Sequence, residues 1–138
     1  MKNNVYKVNR HSCYDLKYHL VVLSRVQGDA LNGEIKSRLT ELSYKLIEKH
    51  WKCTILSFDI KGNSVHILFE APPHVQLSKL INNYKTVTSR ILRKEFCNEL
   101  GAFYDAASFW ESSYLIVTDS QYAKSMIEYY LNIFDIVI

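Results

Sequence analysis

Apolar and polar positions follow two spacings along this chain, and the two spacings alternate in a regular order. Alternating or continuous β-branched runs predict strands, whereas apolar residues at i, i+3, i+4 and i+7 predict amphipathic helices. We expect strands over residues 14–23, 51–61, 64–71 and 109–118. We expect helices over residues 34–50, over residues 77–97, and from Asp119 or Ser120 to about Phe134.

This order, βαββαβ followed by one more helix, is that of the split βαβ or ferredoxin-like fold. Such a fold belongs to the α+β class and places two helices on one face of an antiparallel sheet. No Gly-, Pro- or Ser-rich stretch divides the chain, so we expect one domain over residues 1–138. Because many unrelated functions share this fold, function has to be argued from particular residues.

The composition is that of an ordinary globular protein, with 48% apolar and 22% charged residues. Three widely spaced cysteines favour neither a disulfide framework nor a thiolate zinc site. The first ten residues lack the apolar core of a signal peptide, and no segment reaches the 18 or so apolar residues of a membrane span. We therefore expect a cytoplasmic protein without a membrane partner.

Positive charge is concentrated in the first two-thirds of the chain. Residues 1–62 hold 11 Lys and Arg against 6 Asp and Glu, residues 63–98 hold 5 against 2, and residues 99–138 hold 1 against 6. A nucleic-acid surface is therefore expected in the first two segments, although charges of this kind also form ordinary solvated faces. The candidates for binding nucleic acid are Lys79, Lys85, Arg90, Arg93 and Lys94 on the second long helix, and Arg25, Lys36 and Arg38 extend that surface.

Three segments resemble one family, the single-tyrosine transposases of bacterial insertion sequences (IS200-like), which belong to the HUH nuclease group. Residues 62–73, GNSVHILFEAPP, are similar to the family's histidine strand. Residues 18–22, YHLVV, are similar to its first strand, and residues 109–118, FWESSYLIVT, to the block before its catalytic helix. The similarity extends from about Tyr14 to about Phe134.

The resemblance implies a homodimer that binds a hairpin of single-stranded DNA and cleaves beside it. In such enzymes a tyrosine attacks the phosphate and becomes a 5′-phosphotyrosine, while a Mg²⁺ or Mn²⁺ ion acts as Lewis acid. The resemblance implies that Tyr130 is the nucleophile and that His66 is a metal ligand. Five apolar side chains at residues 133–138 would be covered by a partner subunit or by the chain's own sheet, in agreement with such a dimer.

Two expected metal ligands are replaced in this chain. Ser64 stands where the family has the first histidine of its pair, and Phe134 stands where it has a glutamine. Oxygen ligands from Asp59, Glu70 or Asp135 are conceivable, but no spacing selects one of them.

Tyr130 also has a purely structural interpretation. Ala123, Ile127, Tyr130 and Phe134 have the spacing of an ordinary buried helix stripe. Three functions therefore stay open: a transposase that still cleaves DNA, a non-enzymatic regulatory protein that binds DNA or RNA hairpins, and a ligand-binding or oligomerisation domain unrelated to nucleic acid.

Overall fold

A computed structural model describes residues 7–8, 12–25, 31, 33–101 and 109–137. The sheet consists of β1 (Lys17–Ser24), β2 (Thr54–Lys61), β3 (Ser64–Glu70) and β4 (Trp110–Thr118). The helices are α1 (Gly33–Tyr44), α2 (Leu77–Glu95), α3 (Cys97–Gly101) and α4 (Ala123–Val137), and a π-helical segment, Lys45–His50, continues α1. Two short strands, Lys7–Val8 and Cys13–Tyr14, pair with each other outside this sheet.

The strands lie in the order β2-β3-β1-β4, and every neighbouring pair is antiparallel. The predicted α+β class, the ferredoxin-like order and the added C-terminal helix are confirmed. Three elements begin about three residues later than expected: β1 at Lys17, α4 at Ala123 and β2 at Thr54. Just before β2, Lys52 has a φ of 60°, a left-handed conformation that an extended strand cannot contain.

One face of the sheet packs against α1 and α2 and forms the main core. Leu20 and Val22 of β1 point to this side, where they meet buried residues of both helices, such as Leu39 and Leu80. Trp110 at the start of β4 is also buried there, and its indole N–H donates to Thr88 of α2 at 2.9 Å. These contacts fix the two helices on a single face, as the order of elements predicts.

The opposite face of the sheet is covered by α4. Val21 and Leu23 alternate with the core residues of β1 and pack against Tyr130. Ile127 and Leu131 of α4 and Leu115 of β4 complete this smaller apolar cluster, called the α4 cluster below. The sheet is therefore a middle layer, with α1 and α2 on one side and α4 on the other.

None of the helices in the described ranges combines the length and the apolar content needed to cross a membrane.

Candidate functional site

Ser64 and His66 lie on the sheet face that α4 covers. In the strand register, Ser64 is opposite Leu23 and His66 is opposite Val21, and both β1 residues belong to the α4 cluster. Asp59 of the edge strand β2 is opposite His66 on the other side. The alternation of side chains along β3 thus brings positions 64 and 66 to one face, as the spacing predicts.

A hydrogen bond joins these two side chains. The Ser64 hydroxyl lies 2.8 Å from the carbonyl oxygen of Lys61 and 3.0 Å from Nε2 of His66, and Ser64 is only 5% exposed. A hydroxyl has a single proton, so when Ser64 donates it to the Lys61 carbonyl it accepts a proton from Nε2. This network assigns the proton of a neutral His66 to Nε2 and leaves Nδ1 as its acceptor nitrogen.

The surroundings of His66 favour its neutral form. Burial lowers the pKa of the imidazole below its ordinary value, the positive charge of Lys61 lowers it further, and Asp59 partly opposes the shift. Desolvation is the largest cause, as expected for a half-buried base on a strand. The ring is therefore uncharged near neutral pH.

A cleft of about 480 Å³ separates the sheet from α4 at this point. Its wall on α4 includes Lys124 and Glu128, and its wall on the sheet includes Lys61 and His66. The remaining lining residues are His19, Asp119, Ser120, Ala123, Ile127 and Leu131. His19 and Asp119 close one end, since Nε2 of His19 lies 2.8 Å from the Asp119 carboxylate.

The side chain of Tyr130 extends from α4 to the same sheet face but does not line this cleft. It is 8% exposed, its ring packs on Val21 and Leu23, and its hydroxyl lies 2.8 Å from that of Ser113 on β4. Burial raises the pKa of the phenol, the Ser113 hydrogen bond partly offsets the shift, and the negative charge of Glu111 adds to it. Its neighbour Tyr129 is 66% exposed. Tyr130 therefore has the position expected of a residue in an ordinary buried helix stripe.

Three of the predicted nucleic-acid residues lie on the other side of the molecule. Arg90, Arg93 and Lys94 are exposed on α2, on the side of that helix turned away from the sheet. Within the described ranges, none of these three forms an ion pair. They lie in the helix layer opposite α4, so they do not adjoin the cleft.

Two other predicted nucleic-acid residues have partners at the edge of the sheet. The ammonium of Lys85 donates to the carbonyl oxygens of Glu111 at 2.7 Å and Ser112 at 3.2 Å, and burial lowers its pKa. Arg25 lies 3.6 Å from the Glu111 carboxylate. Lys85 thus binds the backbone of β4, whereas Arg25 is partly exposed just after the end of β1.

Comparison with known proteins identifies the family. The sequence profile described as "Transposase IS200 like" matches residues 12–133. The chain belongs to this family. The transposase for insertion sequence element IS200 of Salmonella typhimurium is 28% identical over 109 residues, which cover 78% of this chain and 70% of that protein. The ISDra2 transposase TnpA of Deinococcus radiodurans is 22% identical over 125 residues, covering 91% and 88%.

Solved structures share the fold of this IS200-like transposase. A crystal structure of a transposase-family protein from Deinococcus radiodurans has a TM-score of 0.79 at 20% identity, covering 91% of this chain and 95% of that one. The REP-associated tyrosine transposase, solved with a REP hairpin bound, has a TM-score of 0.52 at 13% identity, covering 89% and 67%. At these identities the likeness concerns the fold.

The family generally uses a divalent metal, but the donors described here do not fit one. Among the described residues, no three His, Cys, Asp or Glu side chains are close enough to hold an ion together. Ser64 and Nε2 of His66 are hydrogen-bonded to each other, and Glu70 is buried at the far end of β3. The side chains of Phe134 and Asp135 lie outside the described part of the chain.

Two side-chain hydrogen bonds at this site, between Ser113 and Tyr130 and between His19 and Asp119, were not predicted from the sequence. Strand alternation alone places residues 111, 113 and 115 on one face, but it does not say that α4 covers that face. The sequence indicates Asp119 only as a possible first residue of the last helix. Instead it binds His19, while the Ser120 hydroxyl accepts the amide N–H of Tyr122 just before α4 begins.

Proposed function

We propose that this IS200-like transposase binds hairpins of single-stranded DNA and does not cleave them. The proposal rests first on family membership and on the relative solved with a REP hairpin. The observation that carries the binding part is the exposed group Arg90, Arg93 and Lys94, none of which forms an ion pair among the described residues. Cations of this kind bind phosphates and give affinity that depends on salt.

The arrangement around Tyr130 argues against strand cleavage. A phenol with an ordinary pKa near 10 lies about 4 kcal/mol from its phenolate at neutral pH, and burial here raises its pKa further. Within one subunit, the phenol is hydrogen-bonded to Ser113 and packed against the sheet, whereas His66 faces a cleft that Tyr130 does not line. The described donors also do not fit the metal that would stabilise charge on the phosphate.

We also propose that the functional unit is a homodimer, as the family resemblance implies. In the described part, α4 exposes an apolar row on the side turned away from its own sheet. The row consists of Met126, Tyr129 and Ile133, and Tyr122 in the turn just before α4 is exposed as well. A second copy of the chain would cover these side chains. Light scattering should give the mass of a dimer, and a monomer at micromolar concentration would refute this part.

Binding is tested by fluorescence anisotropy with labelled DNA hairpins at several salt concentrations. Each lost phosphate contact should reduce the slope of log K against log salt by about 0.9 on a duplex stem, so replacing Arg90, Arg93 and Lys94 together by alanine should reduce it by up to about 2.7. Lys49→Ala, which removes an exposed cation of the π-helical segment, is the matched single-charge control for Arg93→Ala. Absence of binding to any DNA hairpin at low salt would refute the proposal, and stronger binding to RNA hairpins would change the partner.

Cleavage is tested separately, with the same hairpins in Mg²⁺ or Mn²⁺. A covalent protein–DNA adduct would appear as a slower band on a denaturing gel. We expect no such band. An adduct formed by the wild type and lost in Tyr130→Phe would show that the chain is a working transposase.

A further inference from the structure

We infer that Ser64 makes the His66 face of the cleft a metal-free site, because its hydrogen bond occupies Nε2 of the imidazole and its neutral hydroxyl stands in place of a second strong ligand. The serine thus decides whether this member of the family responds to divalent ions. The inference deepens the proposed function and rests on it for one consequence, hairpin binding that does not depend on divalent cations.

The first step is the hydrogen-bonding capacity of Ser64. Its hydroxyl donates to the Lys61 carbonyl and accepts from Nε2 of His66, at 2.8 and 3.0 Å. A protonated nitrogen has no lone pair for a metal, so an ion could bind Nε2 only by displacing this proton and breaking the bond. The buried Ser64 hydroxyl would then lose its partner, and a neutral hydroxyl is a poor replacement for an imidazole ligand.

The second step is the charge around the imidazole. Lys61 is paired with Ser64 in the strand register, which places an ammonium beside the position that a cation would take. The Asp119 carboxylate is bound to His19, and Glu128 is on the opposite wall of the cleft, on α4. Asp59 is opposite His66 but exposed on the edge strand. An ion near Nδ1 would therefore meet one imidazole, one exposed carboxylate and a repelling lysine, a donor set too small to hold it.

The test measures metal binding directly, with Mn²⁺ alone as the probe. Free Mn²⁺ is counted by electron paramagnetic resonance, and paramagnetic broadening of the His66 ring signals shows whether the ion lies beside that residue. The wild type should show no selective broadening of His66 at millimolar Mn²⁺. Ser64→His places a second imidazole on the same strand face and should raise Mn²⁺ affinity by about 10-fold or more, the smallest effect expected from changes around a metal site.

Two further variants keep this test decisive. Ser112→His adds the same side chain on the opposite face of β4 and should gain no Mn²⁺ affinity. Ser64→Asp adds a smaller oxygen ligand and should also gain affinity, which covers the case in which Ser64→His fails to fold by circular dichroism. Selective broadening of His66 in the wild type, or no gain in any folded variant at position 64, would overturn the inference.

The hairpin assay separates this inference from the proposed function. Wild-type affinity for the hairpin should be the same in EDTA and in Mg²⁺. Binding that requires Mg²⁺ would overturn the inference and leave the hairpin-binding function standing. Absence of hairpin binding in both buffers would overturn the function, whereas the Mn²⁺ measurements would still decide the role of Ser64.

Discussion

Tyr130 packs α4 against the sheet, so its replacement should lower the free energy of unfolding. Its ring packs on Val21 and Leu23, both nearly inaccessible to solvent, and its hydroxyl meets that of Ser113 at 2.8 Å. A tyrosine kept available to attack DNA would have few such contacts. Mutations at this position therefore distinguish a residue of the apolar cluster from an exposed nucleophile.

The expected magnitudes follow from these contacts. Tyr130→Phe removes one hydroxyl and one hydrogen bond, which should lower the free energy of unfolding by about 1 kcal/mol. Tyr130→Ala also removes the ring from the α4 cluster and should cost about 3–5 kcal/mol, the range for truncating a buried aromatic side chain. Tyr129→Phe removes the neighbouring exposed hydroxyl and should cost less than about 0.5 kcal/mol.

The assay is urea denaturation followed by circular dichroism at a fixed protein concentration. A double-mutant cycle with Ser113→Ala isolates the hydroxyl pair, and its coupling energy should lie between about 0.5 and 1.5 kcal/mol. The reasoning is refuted if Tyr130→Ala costs less than about 1 kcal/mol, since a buried ring would cost more. Such a result would mean that α4 does not need Tyr130 to dock and that the phenol is available for attack.

Three further predictions concern other groups. Because burial in the folded chain lowers the pKa of His66 below its ordinary 6.5, the unfolded chain binds a proton at this residue more readily. The free energy of unfolding should therefore fall as the pH drops below about 6.5, and it should fall less in His66→Gln. Burial raises the pKa of Cys53 to about 11, so a thiol reagent should modify Cys13 and Cys97 quickly and Cys53 only after unfolding. Lys85→Met should destabilise the chain by about 1 kcal/mol in the same urea assay, because two carbonyls of β4 lose their donor, and should change hairpin affinity less than Arg93→Ala does.

The order of strands and helices was predictable because the apolar spacing differs between them. β1 and β3 are continuous apolar runs, as expected of strands with neighbours on both sides and covered faces. The family resemblance was predictable from three short segments, because their order along the chain is as informative as their residues. The match of the family profile to residues 12–133 confirmed it. The left-handed conformation of Lys52, which delays β2, was not predictable, since lysine rarely adopts it.

Helical periodicity could not determine which side of α4 faces inward, and this choice decides where the site lies. The helix has one apolar row through Ala123, Ile127 and Tyr130 and another through Met126 and Tyr129, and both rows have helical spacing. Only the tertiary structure shows that the first row contacts the sheet and the second is exposed. Because adjacent residues on a helix differ by about 100° in direction, the two tyrosines of the doublet have opposite environments. The position of the phenol therefore follows from how α4 packs, so the stability of Tyr130 variants and the adduct assay test the same structural assignment from two independent sides.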